Sequence, residues 1–443
     1  MKIQLSDHFT YRKLLRFTFP SIVTTICASI YSIIDGLFVS NLVGDLELSA
    51  INIVMPVIMI IEAFGFMLGV GGSAVTAKSM GESKQKQANR YFSMFVWVIA
   101  ILGIVLSVIG IICMEPLARL AGASDLLIRD SVLYGRILLT GAAVFMLQLT
   151  FQSFLIVAEK PHMALWLSLA AGVTNMVMDY VFIKIFWMGI AGAGFATIIG
   201  YSVGGIIPLV YFLHKKSGSL QLMKTKFYGK PLLNACANGS SEMMNNIAAS
   251  LVGIIYNIQL IWMLGEAGVA AYSIIMYVDF IFLGTFFGFS FGGAPVISYQ
   301  YGAENHGELQ NLFRKSLMIT GMFSIIMVVV SEMSSYSLSR IFINYNRDLL
   351  EITVHGFRLF ALNYIICGLN VFSSSFFTAL CNGKVSALLS FMRALVLRGG
   401  ITFLLPVFWG VDGIWLAVMV AEILASVFSI VFFITKRKRY GYA

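Results

Sequence analysis

The sequence predicts an all-α integral membrane protein: twelve transmembrane helices in two six-helix bundles, related by a pseudo-twofold axis along the membrane normal. Three observations lead there, namely an apolar composition, the number of long apolar blocks, and a repeat at a fixed offset. Of 443 residues, 59% are hydrophobic and 12% charged, and the mean hydropathy is +0.87. A soluble domain carries about 25% charged residues, so this chain has too little polar surface for water. The same figures exclude a disordered, collagenous or coiled-coil chain. The net charge of +9 is no nucleic-acid signature, because the basic residues sit between apolar blocks. Cys27, Cys113, Cys236, Cys367 and Cys381 are scattered singly, without metal-ligand spacing, and an odd count argues against a disulfide framework. They read as small packing residues.

A hydrocarbon core of about 30 Å takes about 20 apolar residues per helix. Blocks near 14–40, 50–77, 92–114, 131–156, 163–186 and 190–213 meet that length, as do 233–262, 270–298, 314–337, 355–380, 385–408 and 412–435. These are spans 1 to 12. The first follows Arg12, Lys13 and Arg16 and is too long for a signal-peptide core, so it is expected to be retained. None alternates like a barrel strand, and lipid leaves no backbone group unpaired, so continuous helices are required.

The connecting segments alternate in charge. Lys2, Arg12, Lys13 and Arg16 precede span 1, whereas Asp45 and Glu47 follow it. Lys78, Lys84, Lys86 and Arg90 follow span 2, Lys215, Lys216, Lys224, Lys226 and Lys230 fill the central loop, and Lys436 to Arg439 end the chain. The positive-inside rule then places both termini and the central loop in the cytoplasm, with the protein in the cell (inner) membrane. An even number of spans agrees.

Adding 221 to a residue number maps one half onto the other. Gly44, Ala50, Ile53, Met55 and Val57 fall on Gly265, Ala271, Ile274, Met276 and Val278. Gly71, Gly72, Val75, Gly81 and Phe92 fall on Gly292, Gly293, Val296, Gly302 and Phe313, and Gly189, Gly192 and Ala196 on Gly410, Gly413 and Ala417. The expected units are therefore 1–221 and 222–443, joined by the basic loop near 214–231. Six spans per half give both halves the same orientation, and a cleft between them suits alternating access.

Polar groups inside a membrane are costly and mark candidate sites. Asp35 lies late in span 1, Asn175 and Asp179 are four apart on span 5 and so share a face, and Thr197 lies early in span 6. Counted from the outer surface, Asp35, Asp179 and Thr197 are each about 10 Å deep at 1.5 Å per residue, with Asn175 a turn deeper. Their oxygens suit a hard cation, or two carboxylates sharing a proton. At offset 221 the four positions become Tyr256, Val396, Gly400 and Val418, so the second half holds no equivalent set. The competing reading is a buried network tying spans 1 and 5 together.

The acid in Asp35-Gly36-Leu37-Phe38-Val39, the run Gly71-Gly72-Ser73-Ala74-Val75, Asn175-x-x-x-Asp179 and Gly189-x-x-Gly192-Ala193-Gly194-Phe195-Ala196-Thr197 resemble the MATE (multidrug and toxic compound extrusion) family. The similarity extends over essentially the whole chain, and it is strongest to prokaryotic members with the cation site in the first lobe. The resemblance implies an antiporter that expels cationic amphiphilic compounds in exchange for Na⁺ or H⁺, with no cofactor. It carries the cation-coupling role to Asp35, Asn175, Asp179 and Thr197, which would ligate Na⁺ in a sodium-coupled protein. Pro20 matches the proline at which helix 1 bends in some members; the plainer reading is a passive kink.

Some members use a second-lobe site with a Glu on helix 7 and an Asp on helix 10. Glu242 fits the first position, but Asn370 stands near the second, which puts a complete second-lobe site in doubt and leaves Glu242 as a substrate contact or a paired structural carboxylate. Gln148 and Gln152, four apart on span 4, and Tyr134 resemble the family's substrate and relay region, with interhelical hydrogen bonding as the plainer reading. Tyr256 is a candidate for facing a cation through its ring. Glu62, Asp279, Arg393, Arg398 and Glu422 also fall inside spans, and Arg398 and Glu422, at similar depth, are expected to form a structural ion pair.

Other classes fit less well. A lipid-linked or polysaccharide precursor flippase of the same superfamily is the alternative, against which the acidic first lobe argues. His8, His162, His214, His306 and His355 lie near helix ends without HExxH-type spacing, which argues against an enzyme, and no P-loop is present for ATP-driven transport. The expected partners are small cationic molecules and the lipid bilayer, with no nucleic acid and a monomeric protein.

Overall fold

The computed structural model describes residues 3–214, 219–343 and 347–443; the side chains of 32, 33, 35–42, 45, 46 and 48 lie outside the described set. The chain is helical throughout, with no strand among the described residues. Spans 1, 2 and 3 are Tyr11–Leu42, Asp45–Gly81 and Gln85–Leu120. Span 4 is two pieces, Ile128–Thr140 and Ala142–Val157, bent by 55°. Span 5 is Pro161–Asp179, extended by a π-helical turn over Tyr180–Ile185, and span 6 is Gly189–Leu213. Spans 7, 8 and 9 are Gly229–Leu264, Glu266–Gly302 and His306–Phe342. Span 10 is again two pieces, Arg347–Ala361 and Tyr364–Ala379, bent by 50°.

Spans 11 and 12 share one helical stretch, Gly383–Tyr440, of 58 residues. Straight, it would be about 87 Å long, nearly three membrane cores. It breaks at Gly410, whose φ of 58° and ψ of −137° are non-helical, giving spans over 383–409 and 411–440. A side chain is strained there, and glycine is not. The equivalent Gly189, with φ 56°, opens span 6. Other left-handed residues pair at the same 221-residue offset: Gly44 with Gly265, and Ser83 with Glu304. The breaks in spans 4 and 10 also fall at equivalent places. The repeat read from residue identities is thus a repeat of backbone geometry.

The bundles meet through span 1 on span 8 and span 2 on spans 7 and 8. Where they cross, backbones touch. A Cβ on Gly71 would collide with the Ala235 carbonyl, one on Gly239 with the Met67 carbonyl, one on Gly81 with the Tyr299 carbonyl, and one on Gly302 with the Lys78 carbonyl. Polar side chains seal the seam between spans 1 and 8: Thr25 Oγ1 donates to the Gly284 carbonyl, and Ser29 Oγ to that of Phe280 at 3.0 Å.

Both termini lie on one face. Ahead of span 1, the segment with Leu5 and Phe9, both fully buried, forms a strap across the seam. Leu5 N donates to Glu159 Oε1 at 3.1 Å on the first bundle, and Gln300 Nε2 on the second donates to the Leu5 carbonyl at 2.9 Å. Phe9 N donates to Glu308 Oε1 at 2.9 Å, and His8 Nδ1 lies 2.6 Å from Glu308 Oε2. Asn311 and Lys315 both donate to the Phe9 carbonyl. Asn305 caps span 9 by accepting from the Glu308 N–H at 3.2 Å, leaving the Glu308 carboxylate to hold the strap. At the other end, buried Tyr442 packs on Phe313 and Phe376, with centroids 4.9 Å from each.

The crossings yield a prediction. Gly239→Leu forces spans 2 and 7 apart and destabilises the fold by about 1–3 kcal/mol or more. Gly293→Ala, where a Cβ meets nothing within 4 Å, leaves thermal unfolding in detergent unchanged.

Candidate functional site

Spans 5 and 6 carry the polar positions of the first bundle. Asn175 and Asp179, one turn apart on span 5, are 1% and 0% exposed. Asn175 Nδ2 donates to Thr197 Oγ1 on span 6 at 3.3 Å, and the Thr197 hydroxyl donates to the Ala193 carbonyl at 2.9 Å. Gly200 allows this approach, since a Cβ there would lie 2.7 Å from Asn175 Cβ and 2.9 Å from the Ala171 carbonyl. Asn175 Oδ1 is buried without a hydrogen-bond partner among the described residues, so an acceptor remains open inside the bundle. The π turn begins directly after Asp179. Such turns interrupt regular helix geometry and recur at functional sites.

Span 1 runs beside span 5, where Tyr31 Cδ2 would lie 3.3 Å from a Cβ on Gly172. Asp35 is one turn beyond Tyr31 in the same helix, and its side chain lies outside the described residues. The structure therefore brings Asn175 and Thr197 together, with Asp179 on the same face of span 5. Among the described residues no group of three His, Cys, Asp or Glu side chains forms a metal cage. The oxygens available here are amide, hydroxyl and carboxylate, a set suited to a hard monovalent cation or a proton.

The other expected site residues disperse. Pro20 lies inside span 1, which runs as one unbroken helix from Tyr11 to Leu42, and Thr24 Oγ1 donates to the Pro20 carbonyl at 2.8 Å. Tyr134, 2% exposed, packs beside Gly194 of span 6. Gln152 Nε2 donates to Ser168 Oγ at 2.8 Å, tying span 4 to span 5. Gln148 packs on Gly204 of span 6, and its Oε1 is buried without a partner among the described residues. Glu242 is buried near Asn245, whose Nδ2 is 3.4 Å from its carboxylate. Tyr256 is fully buried in the second bundle, stacked on Tyr272 with centroids 4.7 Å apart, and its hydroxyl donates to the Ile414 carbonyl at 3.3 Å. Its ring faces tyrosine rather than an open cleft.

The expected ion pair is corrected. Glu422 is held by Arg393, whose Nε donates to both carboxylate oxygens at 2.9 and 3.0 Å, and not by Arg398. The expectation rests on similar depth alone, which does not say which arginine faces span 12; Arg393 lies inside the π turn Met392–Leu397 and Arg398 follows it. Asn370 completes this network, donating to Glu422 Oε2 at 2.7 Å and accepting from Ser429 Oγ at 2.8 Å. Arg398 instead lies within electrostatic reach of Tyr272, Tyr256 and Asp279, and Tyr364 Oη donates to Asp279 Oδ1 at 2.8 Å. So the second bundle lacks the Asn–Asp–Thr set but has a buried polar network of its own. Sequence reasoning also missed a contact in the first bundle, Tyr201 Oη to Glu62 Oε1 at 3.4 Å. Glu62 is visible in the sequence as an intramembrane acid, but nothing there points to Tyr201.

A model of the MatE family matches residues 20–181 and again residues 243–404. The chain belongs to the MatE family. The two matches start at residues 20 and 243, once per half, as the internal repeat requires. Among relatives of this MatE chain, the multidrug export protein MepA of Staphylococcus saprophyticus is 20% identical over 422 residues, 94% of this chain and 92% of that protein. MepA of Staphylococcus aureus is 18% identical over 421 residues, covering 94% and 92%. A crystal structure of MATE in complex with MaL6 superposes with a TM-score of 0.91 at 21% identity, over 98% of this chain and 97% of that one. An outward-facing multidrug resistance MATE family transporter of the MOP superfamily gives 0.90 at 20% identity, over 98% and 96%. The MatE chain thus has the MATE fold of two bundles and twelve spans.

The corrected pair is testable. Arg393→Met leaves the Glu422 carboxylate buried without its cation, a loss of about 3–5 kcal/mol. Combining it with Glu422→Leu restores most of the thermal stability, whereas pairing Arg398→Met with Glu422→Leu gives no such rescue.

Proposed function

We propose that this MatE protein is a secondary active antiporter that exports cationic amphiphilic drugs or toxic compounds in exchange for Na⁺ or H⁺ by alternating access. The carrying observation is the constellation of buried Asp179 and Asn175 with half-buried Thr197, with an open amide acceptor and span 1 alongside. The names of the MepA relatives support export of multiple drugs. The protein sits in the inner membrane as a monomer, with lobes 1–221 and 222–443 and both termini cytoplasmic. The described polar and glycine contacts between lobes lie between that terminal face and the middle of the membrane.

Asp35 and Asp179 attract a cationic substrate while they are ionised and empty. Loading of the Asp179 cluster by Na⁺ or H⁺ from outside removes that negative charge and releases the substrate outward. Asn175 and Thr197 supply neutral oxygens that hold a dehydrated ion without adding charge. A potential of 100 mV contributes about 2.3 kcal/mol per charge moved, which makes inward ion movement an effective drive.

The test uses purified protein in liposomes with a fluorescent organic cation and either a Na⁺ or a pH gradient. One gradient is expected to drive transport, and Asp179→Asn and Asp35→Asn each to reduce it to the background of protein-free liposomes. Transport unaffected by both substitutions overturns the first-lobe site. No movement of any organic cation under either gradient overturns antiport in favour of the flippase alternative.

A further inference from the structure

The two polar pairs of the first bundle share one face of span 6. Thr197 and Tyr201 are four residues apart, which places them one turn, about 6 Å, apart on the same side. Thr197 receives Asn175 from span 5, and Tyr201 reaches Glu62 on span 2. Glu62 falls in the middle of Asp45–Gly81, at mid-membrane depth. The polar column that starts at Asp179 thus continues inward through Asn175 and Thr197 to Tyr201 and Glu62.

Glu62 differs from Glu422 and Asp279 in having no basic side chain nearby among the described residues. Glu422 has Arg393 at 2.9 Å, and Asp279 has the Tyr364 hydroxyl and Arg398 within electrostatic reach. Among the described residues no basic side chain accompanies Glu62, and the hydrogen bond it accepts from Tyr201 is long, at 3.4 Å. An intramembrane carboxylate left this way is costly in its charged form until a proton or a cation visits it. Its surroundings also favour one kind of cation. Tyr201 packs on Phe145 with centroids 5.6 Å apart, so an aromatic pair stands behind the hydroxyl that meets the carboxylate. One carboxylate and a phenol are too few oxygens for a metal ion that takes six or more, whereas a carboxylate beside aromatic rings suits an organic ammonium. Glu62 and Tyr201 are partly exposed, unlike Asn175 and Asp179.

We propose that Glu62, steadied by Tyr201, receives the cationic group of the organic substrate in the first bundle, at a site distinct from the Asp179 cluster. This rests on the antiport reading for the nature of the substrate. It also supplies a physical basis for exchange. A positive charge at the Asp179 cluster and another at Glu62, a few helical turns apart in a poorly screened interior, repel each other. Occupancy of one site then weakens the other without any overlap between them.

Ethidium binding to purified protein, read by fluorescence polarisation, tests this. Glu62→Gln is expected to weaken ethidium binding at least about tenfold, Glu62→Asp to retain most of it, and Tyr201→Phe to fall between. Glu62→Gln is further expected to keep the wild-type thermal transition and the tryptophan-fluorescence response to Na⁺ or pH, which a general loss of structure would not. Wild-type ethidium affinity in Glu62→Gln overturns this inference alone. A wild-type protein that binds no ethidium overturns the antiport reading and this inference with it.

Discussion

Backbone-to-backbone contact at Gly71, Gly239, Gly81 and Gly302 is the constraint on which the arrangement of the two bundles depends. In lipid, apolar side chains gain little by leaving one helix surface for another, so helices associate by close packing and by polar contacts across the seam. Missing side chains at these crossings let carbonyls of the facing helix enter van der Waals range. Thr25 and Ser29 then reach main-chain acceptors on span 8. At these crossings main chain meets main chain and side-chain hydroxyls meet carbonyls, which fixes the bundles against each other there.

Within that frame the halves have diverged in electrostatics while keeping their geometry. Turn residues recur at a constant offset, as Gly44 with Gly265 and Gly189 with Gly410 show. Buried charge does not recur. The second bundle neutralises Glu422 internally through Arg393 and Asn370. The first keeps Glu62 at mid-membrane depth with no basic side chain beside it among the described residues. Duplication provided two equivalent scaffolds, and they handle an intramembrane carboxylate in opposite ways.

Much of the fold is legible in the sequence because each feature writes a local pattern. Span number follows from apolar length, and duplication from glycines such as Gly71 and Gly292, which recur at one offset. The Asn175–Thr197 bond is partly legible, since helical spacing puts Asn175 and Asp179 on one face and the family motif adds Thr197. The breaks in spans 4 and 10 and the π turns are not, because they depend on how neighbouring helices reclaim backbone hydrogen bonds. Depth alone likewise matches Arg398 to Glu422, when Arg393 makes the contact. Glu62 and Tyr201 lie 139 residues apart, and only packing joins them.

The strap ahead of span 1 has a consequence for biogenesis. Phe9 precedes span 1, yet the carboxylate that holds it, Glu308, lies 299 residues further on. Leu5 likewise waits for Gln300, 295 residues away. Contacts of such separation form late, after the loop between them has closed. A segment made ahead of span 1 is therefore unable to settle until Gln300 and Glu308 of the second bundle are in place.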